Sequence, residues 1–243
     1  MLPQTDDAAA GGATSERLRR DLRDRVVRLE IEPGARLSEW AIAAEYGCSR
    51  QPVREAFIIL AYEGLLEVRP QRGTFVRLLS EQRIRAMRFA REAIEAALVR
   101  RAAGAPEVVR AAIVMGMRRQ IAEQRKAADE EGFLALDRAM HRELARALGA
   151  IHAWPPCAAA KSQTERIRFI AGRPEDPRDA ALAEHEALAE AIAAGDADLA
   201  EATLRRHLRR VLRLLPAARA ARPDWFDESE DGAGIDAHAA AGV

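Results

Sequence analysis

Aromatic residues are scarce in this sequence, at 5% of positions, which removes the usual material of strand-rich cores and shifts the expectation toward helix. Cysteine is scarcer still. Cys48 and Cys157 fall in different segments and show no paired metal spacing, so neither a disulfide framework nor a zinc ribbon is expected, and a reducing cytoplasm fits. No apolar run approaches the ~20 residues that span a bilayer, and the opening MLPQTDDAAAGGA lacks the basic-then-apolar pattern of an export signal. The expectation is a soluble cytoplasmic chain with no membrane partner. Net charge is also missing: 38 Lys and Arg balance 38 Asp and Glu, so the overall charge points to no nucleic-acid partner. The balance is uneven, however. From Pro216 onward two arginines face six acids, which leaves the rest of the chain mildly basic. Nearly all of that basic charge is arginine, which suits forked contacts to phosphate or guanine and equally suits a GC-rich genome.

What is abundant is Ala, Leu, Arg and Glu in helical periodicity, and 243 residues suffice for two domains with separate cores. Residues 1–13 and 216–243 carry Ala, Gly, Pro and Asp without apolar periodicity and are expected to be disordered, the second as an acidic tail. Residues 15–30 read as a first helix, with Leu18, Leu22, Val26 and Leu29 on one stripe and Pro33 and Gly34 ending it. Ser38 starts a short helix to Tyr46, Gly47 supplies a turn, and Ser49 starts a third helix to Tyr62. LLEVRP and TFVRLL then read as two strands joined by a basic QRG turn. From residue 80 long helices follow, about 81–103, 106–129, 131–148, 153–171, 177–194 and 197–214, punctuated by Gly104, Gly149, Gly172, Gly195 and Pro216. The fold class is mainly α: a winged helix-turn-helix over 14–78 and an antiparallel all-α bundle over 80–215.

In the first segment, Ala43, Ala44, Val53, Phe57 and Leu60 are placed to pack two helices together, leaving Arg50, Gln51 and Arg54 on the exposed start of the third. That is the part of such a motif that enters a major groove. Arg50 and Arg54 lie four apart on one face, within reach of base edges or of Glu55 as a solvated ion pair. In the second segment, His141, His185 and His207 each fall within a separate helix, and Asp137 sits one turn before His141. A carboxylate and an imidazole at that spacing share a face and can meet one ion, with two further helices supplying ligands. Spacing alone leaves the other reading open, since a histidine in an amphipathic helix is more often a hydrogen-bonded core residue, and no local motif joins these four.

Residues 33–76, PGARLSEWAIAAEYGCSRQPVREAFIILAYEGLLEVRPQRGTFV, resemble the winged helix-turn-helix of the GntR family of transcription regulators along their full length. The resemblance implies DNA contacts from Arg36, from Ser49 at the start of the recognition helix, from Arg50, Gln51 and Arg54, and from Arg72, Gly73 and Thr74 in the wing. Trp40, Cys48 and Phe57 depart from the usual pattern and read as core variations. A lone Cys48 behind the helix is expected to be inert. Residues 80–215 resemble the FCD ligand-binding domain of FadR-subfamily members, in its shorter VanR-like form, through DRAMH, EHEALAEAI and RRHL. This implies a divalent metal such as Zn, Ni or Mn on Asp137, His141, His185 and His207. It also implies an effector pocket using Arg91, for which a salt bridge to Glu95 is the alternative, with Gln163 and Arg166 taken from KSQTERIRFI. The implied protein is a homodimeric repressor on a palindromic operator in double-stranded DNA, released by a small carboxylate effector. A regulator that senses the metal itself and a metal-dependent hydrolase are the rivals. The hydrolase lacks an HExxH helix or nucleophile motif, so no enzyme is expected.

Overall fold

A computed structural model describes residues 7–171 and 177–228. The described chain forms two compact units, residues 81–221 and, as a second body, the first 80 residues together with the segment from Arg222 onward.

In the first unit, α1 (Asp7–Val27) buries Leu18, Leu22 and Val26, each 1% exposed or less, against α3 (Arg50–Tyr62). The fourth residue of the expected stripe, Leu29, lies beyond the helix with φ 66°, a left-handed conformation that reverses the chain toward Pro33. Between them α2 (Glu39–Glu45) is capped by Ser38, whose hydroxyl accepts from Ala41 N at 3.3 Å. Gly47, at φ 61°, makes the turn into α3. α2 buries Ile42 and Ala43 rather than Ala43 and Ala44, a rotation of one position that leaves Ala44 on the outside. From α3, Val53, Ala56, Phe57 and Leu60 complete this core, and Phe57 fits it at 3% exposure. The wing is a three-stranded antiparallel sheet in the order β1 (Arg36–Leu37), β3 (Gly73–Val76), β2 (Leu66–Arg69). The sequence suggested two strands, because a two-residue strand has no alternation to detect.

The second unit is a helical bundle built around α4 (Glu81–Ala103), which packs against α7 (Trp154–Ala171), α8 (Pro177–Ala194) and α9 (Ala197–Arg209). α5 (Glu107–Arg125) pairs with α6 (Glu130–Ala147) and with α8. Asp129 and Asp196 cap α6 and α9 by accepting from Gly132 N and Leu199 N at 2.8 and 2.9 Å. Gly149 and Gly195 end α6 and α8 with positive φ. Gly172 lies outside the described residues.

The chain's end departs from expectation. α9 stops at Arg209, a 3-10 turn covers Arg210–Leu214, and a further helix α10 (Leu215–Ala221) holds Pro216 in its first turn, where a missing amide proton costs no hydrogen bond. Beyond it, Trp225 and Phe226 are 7% and 5% exposed, and Phe226 forms a parallel bridge to Leu79 of the first unit. Leu79 N donates to Trp225 O at 2.9 Å and Asp227 N donates to Leu79 O at 2.8 Å. Residues 216–227 are therefore not a disordered tail, because two aromatics among the acids carry enough apolar surface to anchor them. Likewise α1 begins at Asp7, inside the stretch expected to be disordered. Residues 1–6 and 229–243 lie outside the described set.

Candidate DNA-reading face and candidate metal centre

On the first unit, Arg50, Gln51 and Arg54 project from the first turns of α3 and all three are exposed. Both arginines are held by Glu39 of α2: Arg50 Nη2 donates to it at 2.8 Å, and Arg54 Nε and Nη2 at 3.2 and 3.0 Å. The hydrogen bonds from Arg54 and Arg50 keep the Glu39 carboxyl below its ordinary range. Glu55, the partner expected from spacing, instead accepts from Gln51 Nε2 at 3.0 Å. Ser49 occupies the N-cap position with extended backbone, but its hydroxyl makes no capping hydrogen bond. Arg36 starts β1 opposite Phe75, and its guanidinium lies beside Gly73, where an added Cβ would come within 3.2 Å of Arg36 Nε. Gly73 at φ 106° thus serves both the turn and that close approach. Arg72 and Thr74 flank it, with Arg72 exposed. Trp40 is 72% exposed and is not the core variation its position suggested.

In the second unit, Asp137 and His141 lie on the buried stripe of α6, together with Phe133, Leu134, Met140 and Leu144. His185 comes from α8 and His207 from the stripe of α9. One candidate ligand atom from each of the four lies within 4.8 Å of all the others, and all four side chains are buried. The imidazoles share one arrangement. Glu95 of α4 accepts from His141 Nδ1 at 2.5 Å, Gln124 Oε1 of α5 from His185 Nδ1 at 2.8 Å, and Glu184 from His207 Nδ1 at 2.9 Å. Each ring therefore turns Nε2 toward the centre, and His185 Nε2 lies 3.0 Å and His141 Nε2 3.6 Å from Asp137 Oδ1. Those three inner atoms are buried without a hydrogen-bond partner among the described residues. A divalent cation satisfies such a set, and the Nδ1 acceptors are the outer support that metal-binding imidazoles require.

The electrostatics fit the same use at two of the three imidazoles; at His141 burial would lower the pKa, but the Glu95 and Asp137 carboxylates raise it above its usual value. Burial, reinforced by His185 and His141, drives the His207 imidazole well below its usual value, and burial lowers His185 despite Asp137. Both are held neutral, the form that binds metal. Asp137 is ionised: burial would raise its pKa, but Lys161 and the two imidazoles bring it well below the usual range. Glu95 is held at about 2, since Arg91 and His141 outweigh the effect of burial.

Residues 14–76 match the family described as bacterial regulatory proteins, gntR family, and residues 86–210 match the FCD domain. An HTH-type transcriptional regulator in an unstable DNA locus of Streptomyces ambofaciens is 38% identical over 222 residues, which is 90% of this chain and 92% of that one. The chain belongs to the GntR family. The HTH-type transcriptional repressor RspR of Escherichia coli K12 is 34% identical over 216 residues, 88% of this chain and 94% of its own. Among solved structures, a GntR regulator from Rhodococcus sp. RHA1 shares the fold with a TM-score of 0.68 at 24% identity, covering 84% of this chain and 99% of that one. This GntR protein is thus a transcription regulator with an FCD domain, and not an enzyme. No helix among the described residues is long and apolar enough to cross a membrane.

Within this GntR regulator the three residues assigned to an effector are all buried. Arg91 forms the ion pair with Glu95, at 2.5 Å, that the sequence offered as the alternative, and its Nη2 has no hydrogen-bond partner among the described residues. Arg166 Nη1 donates to Gln163 Oε1 at 3.1 Å, and its charged neighbour is Arg83, two helical turns before Arg91, so burial beside that cation lowers its pKa to about 9. Lys161, one turn before Glu165 on α7, reaches Asp137 directly. The sequence offered Lys161 and Arg168 beside Gln163 and Arg166 as effector candidates on this helix, not as partners of Asp137, and it gave no notice of Gln124 or Glu184. The signal available was position on a buried stripe: Gln124 follows Ile113, Val114, Met117 and Ile121 on the inner face of α5.

Proposed function

We propose that this GntR regulator is a repressor, active as a homodimer, that holds a palindromic operator and is released when a small organic acid binds beside a divalent metal. Arg50, Gln51 and Arg54 would read base edges in the major groove, while Ser49, Arg36, Arg72, Gly73 and Thr74 position the head on phosphates and the minor groove. Two copies would present two recognition helices to successive major grooves about 34 Å apart. The repressor sense follows the printed name of the RspR relative.

The observation that carries the metal is the convergence of three Nε2 atoms and Asp137 while every Nδ1 is already bound to Glu95, Gln124 or Glu184. Asp137, His141, His185 and His207 would hold Zn, Ni or Mn, and four protein ligands leave a position for a carboxylate on the ion. Arg91, with an unengaged Nη2 in the same buried region, supplies a second anchor for that carboxylate. Gln163 and Arg166 extend the cationic wall along α7.

Thermal-shift screening of the purified protein against small organic acids, with and without chelator, tests the coupled site. Stabilisation by an acid at 100 times its dissociation constant corresponds to about 2.7 kcal/mol and disappears on chelation. A protein whose melting ignores chelator, with Asp137→Ala and His185→Ala equally neutral, would remove the metal from this reading. Release of operator by metal alone, with no acid present, would make the ion the signal.

A further inference from the structure

The first unit keeps two large aromatics outside its core, Tyr62 at the end of α3 and Trp40 near the start of α2, and only Trp40 lies beside the recognition arginines' partner Glu39. Trp40 is 72% exposed, whereas Trp154 and Trp225, the other two tryptophans, are 7% exposed. Its placement follows from the phase of α2. Ile42 and Ala43 turn inward, which puts Trp40, two residues before Ile42, on the opposite face. An exposed indole forgoes the largest apolar burial available to any side chain, and tryptophan is enriched where a second molecule covers it.

Position identifies that molecule. Trp40 follows Glu39 on α2, the carboxylate that receives both recognition arginines, so its backbone is one residue from the partner of the Arg50 and Arg54 cluster. In a helix-turn-helix the helix before the recognition helix crosses the sugar–phosphate backbone while the recognition helix enters the groove. We infer that Trp40 is a DNA-contacting residue that packs on a deoxyribose and donates its Nε1–H to the adjacent phosphate. It adds affinity without reading sequence, because sugar and phosphate are the same at every step. This inference rests on the DNA-binding reading of α3 and adds a contact outside it.

The test uses the full chain, an operator recovered by selection from a randomised duplex pool, and an unrelated duplex of equal length. Trp40→Ala is expected to weaken both duplexes by about tenfold, as for one well-seated aromatic contact. The slope of affinity against salt stays that of the parent, because the indole carries no charge. Trp40→Phe, which keeps a ring and loses the donor, falls between the two. Melting is unchanged in both variants, since the side chain lies outside the core. In the parent, acrylamide quenches the exposed Trp40 emission and operator DNA protects it. Unchanged affinity in Trp40→Ala overturns the inference, and a loss confined to the operator overturns the backbone assignment. A parent that selects no duplex at all would sink the DNA-binding reading itself.

Discussion

At the scale of single residues, the two faces of this regulator use charge in opposite ways. Arg50 and Arg54 remain more than half exposed, and their pairing with Glu39 costs little to exchange for phosphate or guanine, because solvent already screens it. The buried tetrad has no such exchange available. Its inner nitrogens are dry, and their direction depends on the acceptors behind them. Gln124 gives the cleanest test, because its oxygen fixes the His185 ring while it lies outside the tetrad. Gln124→Leu keeps the volume and removes the acceptor, so zinc affinity is expected to fall about 10- to 100-fold, the usual loss for an outer support. Competition titration against a chromophoric chelator measures it, and an affinity equal to the parent's would mean that the His185 ring is oriented by something else. None of these supports was legible in the sequence. Asp137 and His141 announce themselves by their four-residue spacing, whereas a lone glutamine on a stripe looks like any other polar residue.

At the scale of elements, the helices were readable where an apolar stripe and a cap coincide, as in α6 and α9, and unreadable where the chain changes course without either. The 3-10 turn at Arg210–Leu214 and α10 behind it continue an arginine-rich pattern that gives no stop signal. Just before that turn, arginines at the end of α9 form a contact with consequences for stability. Glu92 of α4 is 1% exposed and accepts from Arg205 Nη1 at 2.6 Å and from Arg209 Nε and Nη2 at 3.1 and 2.5 Å, with Arg88 also bound. Burial raises its pKa, but Arg209, Arg205 and Arg88 prevail and bring it to about 2 from an ordinary 4.5. Because the folded value is depressed, the stabilisation is fully present above pH 4.5 and is lost as pH falls toward 2. Glu92→Gln should therefore be less stable than the parent at pH 7, by about 2 kcal/mol, with the gap closing between pH 4.5 and 2. Urea midpoints across that range decide it. A gap that does not change with pH would assign the loss to packing rather than to charge.

At the scale of the whole molecule, the sequence order of the two units conceals how the first is completed. Their separate cores follow from the change in periodicity near residue 80, and that boundary is plain in the sequence. The return of the chain at Arg222 is not, because a six-residue segment with acids on either side of two aromatics matches the composition of a linker. Yet Arg222 stacks its guanidinium 3.5 Å from the centre of the Trp225 ring, Trp225 and Phe226 are buried, and the backbone bonds to Leu79 on both sides of the bridge. The DNA-reading unit is thus assembled from both ends of the described chain. The two connections to the bundle leave after Ser80 and return before Arg222, close in sequence to the Leu79–Phe226 bridge. Trp225→Ala should destabilise the DNA-reading unit by about 3 kcal/mol, the cost of emptying a buried aromatic site. Operator binding is expected to weaken at temperatures where that unit begins to melt. Calorimetry separates this from a general loss: the transition that shifts with added duplex DNA moves down, while the transition of the bundle keeps its midpoint. If both transitions fall together, the segment supports the molecule as a whole. If neither moves, Trp225 contributes no packing to the head.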